Sequence, residues 1–179
     1  KNYNQKYRNS LIYYYGFMYP SDSNFRNYQI QFRRGHHISI EYNRQYRSLF
    51  VGTSLSAKFY DNYKVMGIPI LNEMNVKGNN QLISTSVFGG WESPISDLFF
   101  FRVKVSNGIA FTDHKLKIEK EFLTQTDASF YYSLLIGAGV QWTHPFEVLI
   151  FYQYDGNTNS QDYSKQSFNQ VGISFGLDY

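Results

Sequence analysis

Taken two residues at a time, the chain divides into ten stretches with apolar side chains on one face and small or polar ones on the other. The sharpest is 167–179, where Val171, Ile173, Phe175, Leu177 and Tyr179 alternate with Gly172, Ser174, Gly176 and Asp178. A period of two is a β-strand, and faces this different separate two unlike surroundings. The same alternation runs through 11–19, 28–33, 37–43, 49–59, 82–91, 98–112, 130–143 and 146–155. A further stretch, 63–71, is weaker: Pro69 cannot donate to a ladder, and both faces are mixed. Helix signals are nearly missing, so the chain is predicted to be all-β.

Connections alternate in character. Tight turns are predicted near 34–37, 60–63, 92–97 and 144–145, and longer loops near 20–27, 72–81, 113–129 and 156–165. The link near 45–48 is short where a long one is due. Short turns on one rim and longer loops on the other mark an up-and-down antiparallel transmembrane β-barrel. The count is about ten strands. Eight is the alternative, if 63–71 or the first hairpin stays out of the wall. An even number brings both termini to the same side, and 1–179 is read as a single domain.

Composition decides which face meets which solvent. The 17 Tyr, 16 Phe and 2 Trp make up 20% of the chain. They are too bulky for the interior of a lipocalin-like soluble barrel, whereas the Gly- and Ser-rich face suits a crowded lumen. The apolar face is therefore assigned to lipid. Trp91, Phe130, Trp142 and Tyr154 fall at strand ends, where aromatic girdles sit at the two membrane interfaces. No apolar run approaches the roughly 20 residues of a spanning helix. A net charge of +3 without a basic run argues against nucleic acid. Absence of Cys removes disulfides and thiolate metal sites. The chain begins at Lys1 rather than Met and is read as a processed or trimmed product.

Candidate chemistry is sparse. His37, Ser39 and Glu41 share one face of one strand, but successive members stand about 6–7 Å apart, too far for the direct bonds of a triad. They are read as polar lumen residues. His36 and His37 point to opposite faces and cannot chelate together. No metal or cofactor is expected. Lys58, Arg102 and Lys104 lie on the polar face and would line an anion path, unless Glu147, Asp178, Glu41 or Glu92 pair with them and plug it. The plug is favoured, because a barrel of eight to ten strands has little interior beyond what its side chains fill.

The run Gly137-Ala-Gly-Val-Gln-Trp142, the turn Thr143-His-Pro145 and the run Phe146-Glu-Val-Leu-Ile-Phe-Tyr-Gln-Tyr154 resemble the small bacterial outer-membrane β-barrels of the broad opacity-protein-like group. Val171, Ile173, Phe175, Leu177 and Tyr179 are similar to the C-terminal signal such proteins present to the barrel-assembly machinery, with Tyr where Phe is more usual. The resemblance covers roughly the last hundred residues and implies architecture and location, a multi-pass barrel in the bacterial outer membrane, without implying an activity. The expected partners are outer-membrane lipid or lipopolysaccharide, the assembly machinery during insertion, and other envelope proteins. The expected role is non-enzymatic, a structural or docking component of a membrane complex acting through its loops or lipid-facing wall. A narrow pore for small solutes past Arg102 and Lys104 is the alternative, and a lipid-modifying enzyme centred on His37 and Ser39 is third.

Overall fold

Neighbouring strands of the wall pair antiparallel, and the last pairs with the first. The computed structural model describes residues 7–19, 22–25, 28–66, 76–118, 121–143, 145–159 and 164–179. The strands are β1 (Arg8–Tyr19), β2 (Asp22–Phe25), β3 (Tyr28–Tyr46), β4 (Leu49–Met66), β5 (Val76–Pro94), β6 (Phe99–Ile118), β7 (Glu121–Thr143), β8 (Phe146–Asn159) and β9 (Ser164–Asp178). Short β2 continues the line of β1, because both lie between β3 and β9. The wall therefore has eight strands and no free edge, as a sheet in lipid requires. The expected ten strands give way to the alternative of eight.

Two of the ten stretches are absorbed into longer strands. The turn expected at 34–37 does not exist, and 28–33 and 37–43 are parts of one strand, β3. Gly35 was the turn signal, and it marks a β-bulge instead. The register steps from Phe32↔Asn62 to Gly35↔Tyr60, three residues of β3 against two of β4. Glycine is needed by close approach: a Cβ there would stand 2.5 Å from the Phe59 carbonyl oxygen and 2.6 Å from Met18 Cε. The turn expected at 60–63 is likewise absent, because β4 runs on to Met66. Of the weak stretch 63–71, the first four residues prolong β4, and Pro69 lies outside the described residues.

With those turns gone, the odd link at 45–48 takes its regular place. The tight connections are at Arg47–Ser48, around Ser96 and at Pro145. Arg47 adopts the left-handed conformation (φ 54°), and Gln45 Nε2 donates to its carbonyl at 2.8 Å. Ser96 Oγ accepts from Leu98 N and Phe99 N. Both ends of the barrel strands meet on this same rim, where Tyr179 N donates to Asn9 O at 3.0 Å. On the opposite rim the expected loops are largely paired strand. The 113–129 region is a hairpin paired out to Ile118↔Glu121, and 156–165 is paired out to Asn159↔Ser164.

Outward side chains form an apolar belt, with Val51, Val87 and Ile150 each more than 60% exposed. On β7 the outward face runs from Phe130 through Leu134 and Ile136 to Trp142. The twelve steps between them, at about 3.4 Å each and tilted by about 40°, span roughly 30 Å, the thickness of a hydrocarbon core. Inward side chains fill the lumen in two apolar clusters. Ile12, Tyr14, Phe100, Leu135, Leu149 and Phe151 form one. Met18, Tyr60, Leu82, Ala110, Tyr131 and Phe168 form the other.

Candidate functional site

Three cations project into the lumen between these clusters, and each is held in the same way. Lys58 Nζ lies 2.8 Å from Asp155 Oδ2, over the rings of Tyr131 and Phe168. Lys104 Nζ bonds Glu41 Oε1 and stands 4.5 Å from the Tyr14 ring centroid and 5.2 Å from that of Phe88. Arg102 donates from Nε (3.0 Å) and Nη2 (2.5 Å) to Glu92 Oε2, and its Nη2 is 2.7 Å from Glu147 Oε1. Its guanidinium lies against Phe50 and Phe100. A carboxylate neutralises each charge, and two aromatic faces replace the water it has lost.

The small residues of the polar face make room for this. A Cβ at Gly139 would come within 2.7 Å of the Val148 carbonyl oxygen and 2.8 Å of Phe100 Cε1. A larger residue would displace the ring that covers Arg102.

Arg8 extends the network toward the rim carrying the termini. It lies 3.6 Å from both Glu92 and Glu147 and 3.2 Å from Asp178, whose other oxygen accepts from Ser10 Oγ at 2.7 Å. Around Asp155, Tyr131 Oη donates at 2.7 Å, Gln153 Nε2 at 2.6 Å, and Gln170 Nε2 also donates. Thus Lys58, Arg102, Lys104, Glu147 and Asp178 all face the lumen and all are buried. Arg102 joins Glu147, Arg8 joins both to Asp178, and Lys58 and Lys104 form separate pairs.

Several members gave little sign of themselves in the sequence. Arg8 precedes the first alternating stretch. Asp155 is the last residue of the ninth stretch, on its polar face, with nothing in the sequence to mark it as a partner of Lys58. Phe50 and Phe88 did leave a trace, as large rings on otherwise small, polar faces. The expectation of a small and polar lumen face therefore needs correcting: aromatic rings are built into it as partners for the cations.

His37 and Ser39 are also buried in the lumen, within β3 rather than beside a turn at 34–37. The His37 ring lies beside Gln170, and the Glu41 carboxylate is engaged by Lys104. No nucleophile–base pair is assembled. His36 faces outward, its Nδ1 2.8 Å from Tyr15 Oη. Among the described residues no group of three His, Cys, Asp or Glu is placed to hold a metal.

The remaining residues lie on the wall. Trp91 and Trp142 project outward near the rim of tight turns, and Trp142 is 74% exposed. Phe130 projects outward toward the opposite rim, where Tyr154 packs half-buried against the Tyr132 ring at 6.3 Å. Val171, Phe175, Leu177 and Tyr179 form an exposed stripe on β9, with Ile173 half-buried in it.

The sequence matches no family model and no curated protein. Its fold does have solved counterparts. Ail, the attachment invasion locus protein of Yersinia pestis, solved in complex with the heparin analogue sucrose octasulfate, superposes with a TM-score of 0.59 at 11% identity, over 98% of this chain and 100% of that one. Neisserial surface protein A gives 0.54 at 12% identity, over 96% and 95%. A major outer membrane protein from Thermus thermophilus gives 0.55 at 7%, over 95% and 99%. At these identities the likeness is one of fold. The chain is a closed β-barrel of the kind seen in these outer-membrane proteins, with an apolar belt on its outside.

Proposed function

We propose that the protein is a closed, non-enzymatic barrel serving as a structural or docking component of the bacterial outer membrane. The observation that carries this reading is the lumen: Lys58, Arg102 and Lys104 are each bound to a carboxylate and covered by two rings, so among the described residues these three cations offer no free charge to a passage. What remains for interaction is the lipid-facing wall and the long hairpins of the far rim. Outer-membrane lipid or lipopolysaccharide contacts the wall, and other envelope proteins dock on the hairpins. During insertion the 171–179 stripe is offered to the barrel-assembly machinery. The lipid-modifying reading finds no support, since His37 and Ser39 are shut away from lipid and unpaired with each other.

Planar-bilayer recording tests this. The folded protein is expected to give no steady unitary conductance in 1 M KCl. Regular conductance steps would defeat the reading and favour a narrow pore along the Arg102 and Lys104 side.

A further inference from the structure

The outer wall changes character along one diagonal. On β3 the outward residues pass from Ile38 to His36 and Arg34, on β5 from Ile83 to Gln81, and on β6 from Phe111 to Asp113 and Lys115. These positions are neighbours across four strands, linked by the pairs Gly35↔Tyr60, Tyr60↔Asn80 and Asn80↔His114. The β3–β4 bulge falls in the same place. There the wall opens into a cleft of about 320 Å³ lined by Arg34, His36, Phe59, Gln81, Asp113 and Lys115. It sits just beyond the apolar belt, on the half of the barrel away from the tight turns.

Its charges differ from those of the lumen. Arg8, Lys58, Arg102 and Lys104 all have carboxylate partners, whereas Arg34 meets none among the described residues. Among the described residues Lys115 pairs only with its strand neighbour Asp113, at 3.3 Å and 61% exposed, an arrangement of little strength in water. An open cation on a forked guanidinium, a second mobile cation and an aromatic floor suit a phosphate whose carrier continues into apolar surroundings. Tight periplasmic turns put this half in the outer leaflet.

We infer that the cleft binds the phosphate of an outer-leaflet glycolipid headgroup, with Arg34 and Lys115 gripping the phosphate, His36 beside it and Phe59 under the acyl end. The inference rests on the membrane-barrel reading. It goes beyond the closed-lumen proposal, which would survive its failure.

The test uses the full chain folded in dodecyl maltoside micelles, with native mass spectrometry counting bound ligand. The probes are lipid A, the same lipid with both phosphates removed, and inorganic phosphate. Lipid A is expected to be retained at one equivalent, and its dephosphorylated form at least tenfold more weakly. R34Q/K115Q is expected to lose roughly 25-fold, about fivefold per near-surface cation. R44Q, near the opposite rim, should leave retention unchanged. Asp113→Asn frees Lys115 and should tighten binding severalfold, so the idea stays testable if the double variant folds poorly. Equal retention of the two lipids, or indifference to R34Q/K115Q and to Asp113→Asn, would overturn the site. Inorganic phosphate binding as tightly as lipid A would overturn the headgroup as its source. Failure of the barrel itself would show separately, as loss of the compact band of unboiled protein on a gel.

Discussion

Lys58 and Asp155 meet at 2.8 Å with both side chains wholly removed from solvent. Two residues nearly a hundred positions apart in the chain thus share one desolvated pair, and neither can be changed alone without stranding the other. Asp155→Asn is expected to cost about 3–5 kcal/mol, the penalty of an uncompensated buried charge. Lys58→Met with Asp155→Leu should recover most of that loss. Urea unfolding in micelles, read as a double-mutant cycle, measures the coupling.

Depth in the membrane should be readable on β8. Ile150, 66% exposed at mid-strand, becomes costly by about 2–4 kcal/mol as Arg, whereas Phe146 at the turn rim should cost about 0–1 kcal/mol. Refolding titrations into phosphatidylcholine vesicles give both numbers. Equal costs at the two positions would contradict a lipid-facing belt.

Tyr179 closes the barrel through two backbone bonds to Asn9, at 3.3 and 3.0 Å. Its deletion should lower stability by about 1–3 kcal/mol, the sum of two modest hydrogen bonds. Insertion into vesicles should also slow severalfold, followed by the appearance of the compact band on gels. Insertion at the wild-type rate would remove 171–179 as an assembly signal.

The tip of the β6–β7 hairpin pairs with its own other arm and with the start of β5. Replacing 117–122 by Asn-Gly is expected to leave a folded, heat-modifiable barrel, because this part stands beyond the belt. Lys115, Thr112 and Ser129 are kept: the first lines the cleft, and the other two accept from Asn157 Nδ2 in the lumen.

Arg102 reports on the plug. Arg102→Ser removes the charge shared by Glu92 and Glu147 and uncovers Phe50 and Phe100. The two carboxylates should then repel each other and admit water, and a leak conductance should appear in planar bilayers where the parent shows none. An equally silent variant would mean that the aromatic layers alone seal the lumen.

By itself, the sequence determined the barrel and its inside-out arrangement. Alternation with two unlike faces showed strands between two different surroundings, and the bulky aromatic face left lipid as the outer one that fits. The upper parts of β6, β7, β8 and β9 looked like loops because their residues are largely polar on both faces, so no alternation marks them in the sequence. The strand count failed at Gly35 because a turn and a bulge use the same residue for different reasons, and only the register against β4 separates them. Partner choice was likewise a tertiary matter. That Lys58 takes Asp155, that Arg8 reaches Asp178, and that the bulge opens a cleft between Arg34 and Lys115 depend on the stagger of eight strands around a closed wall, which no local pattern encodes.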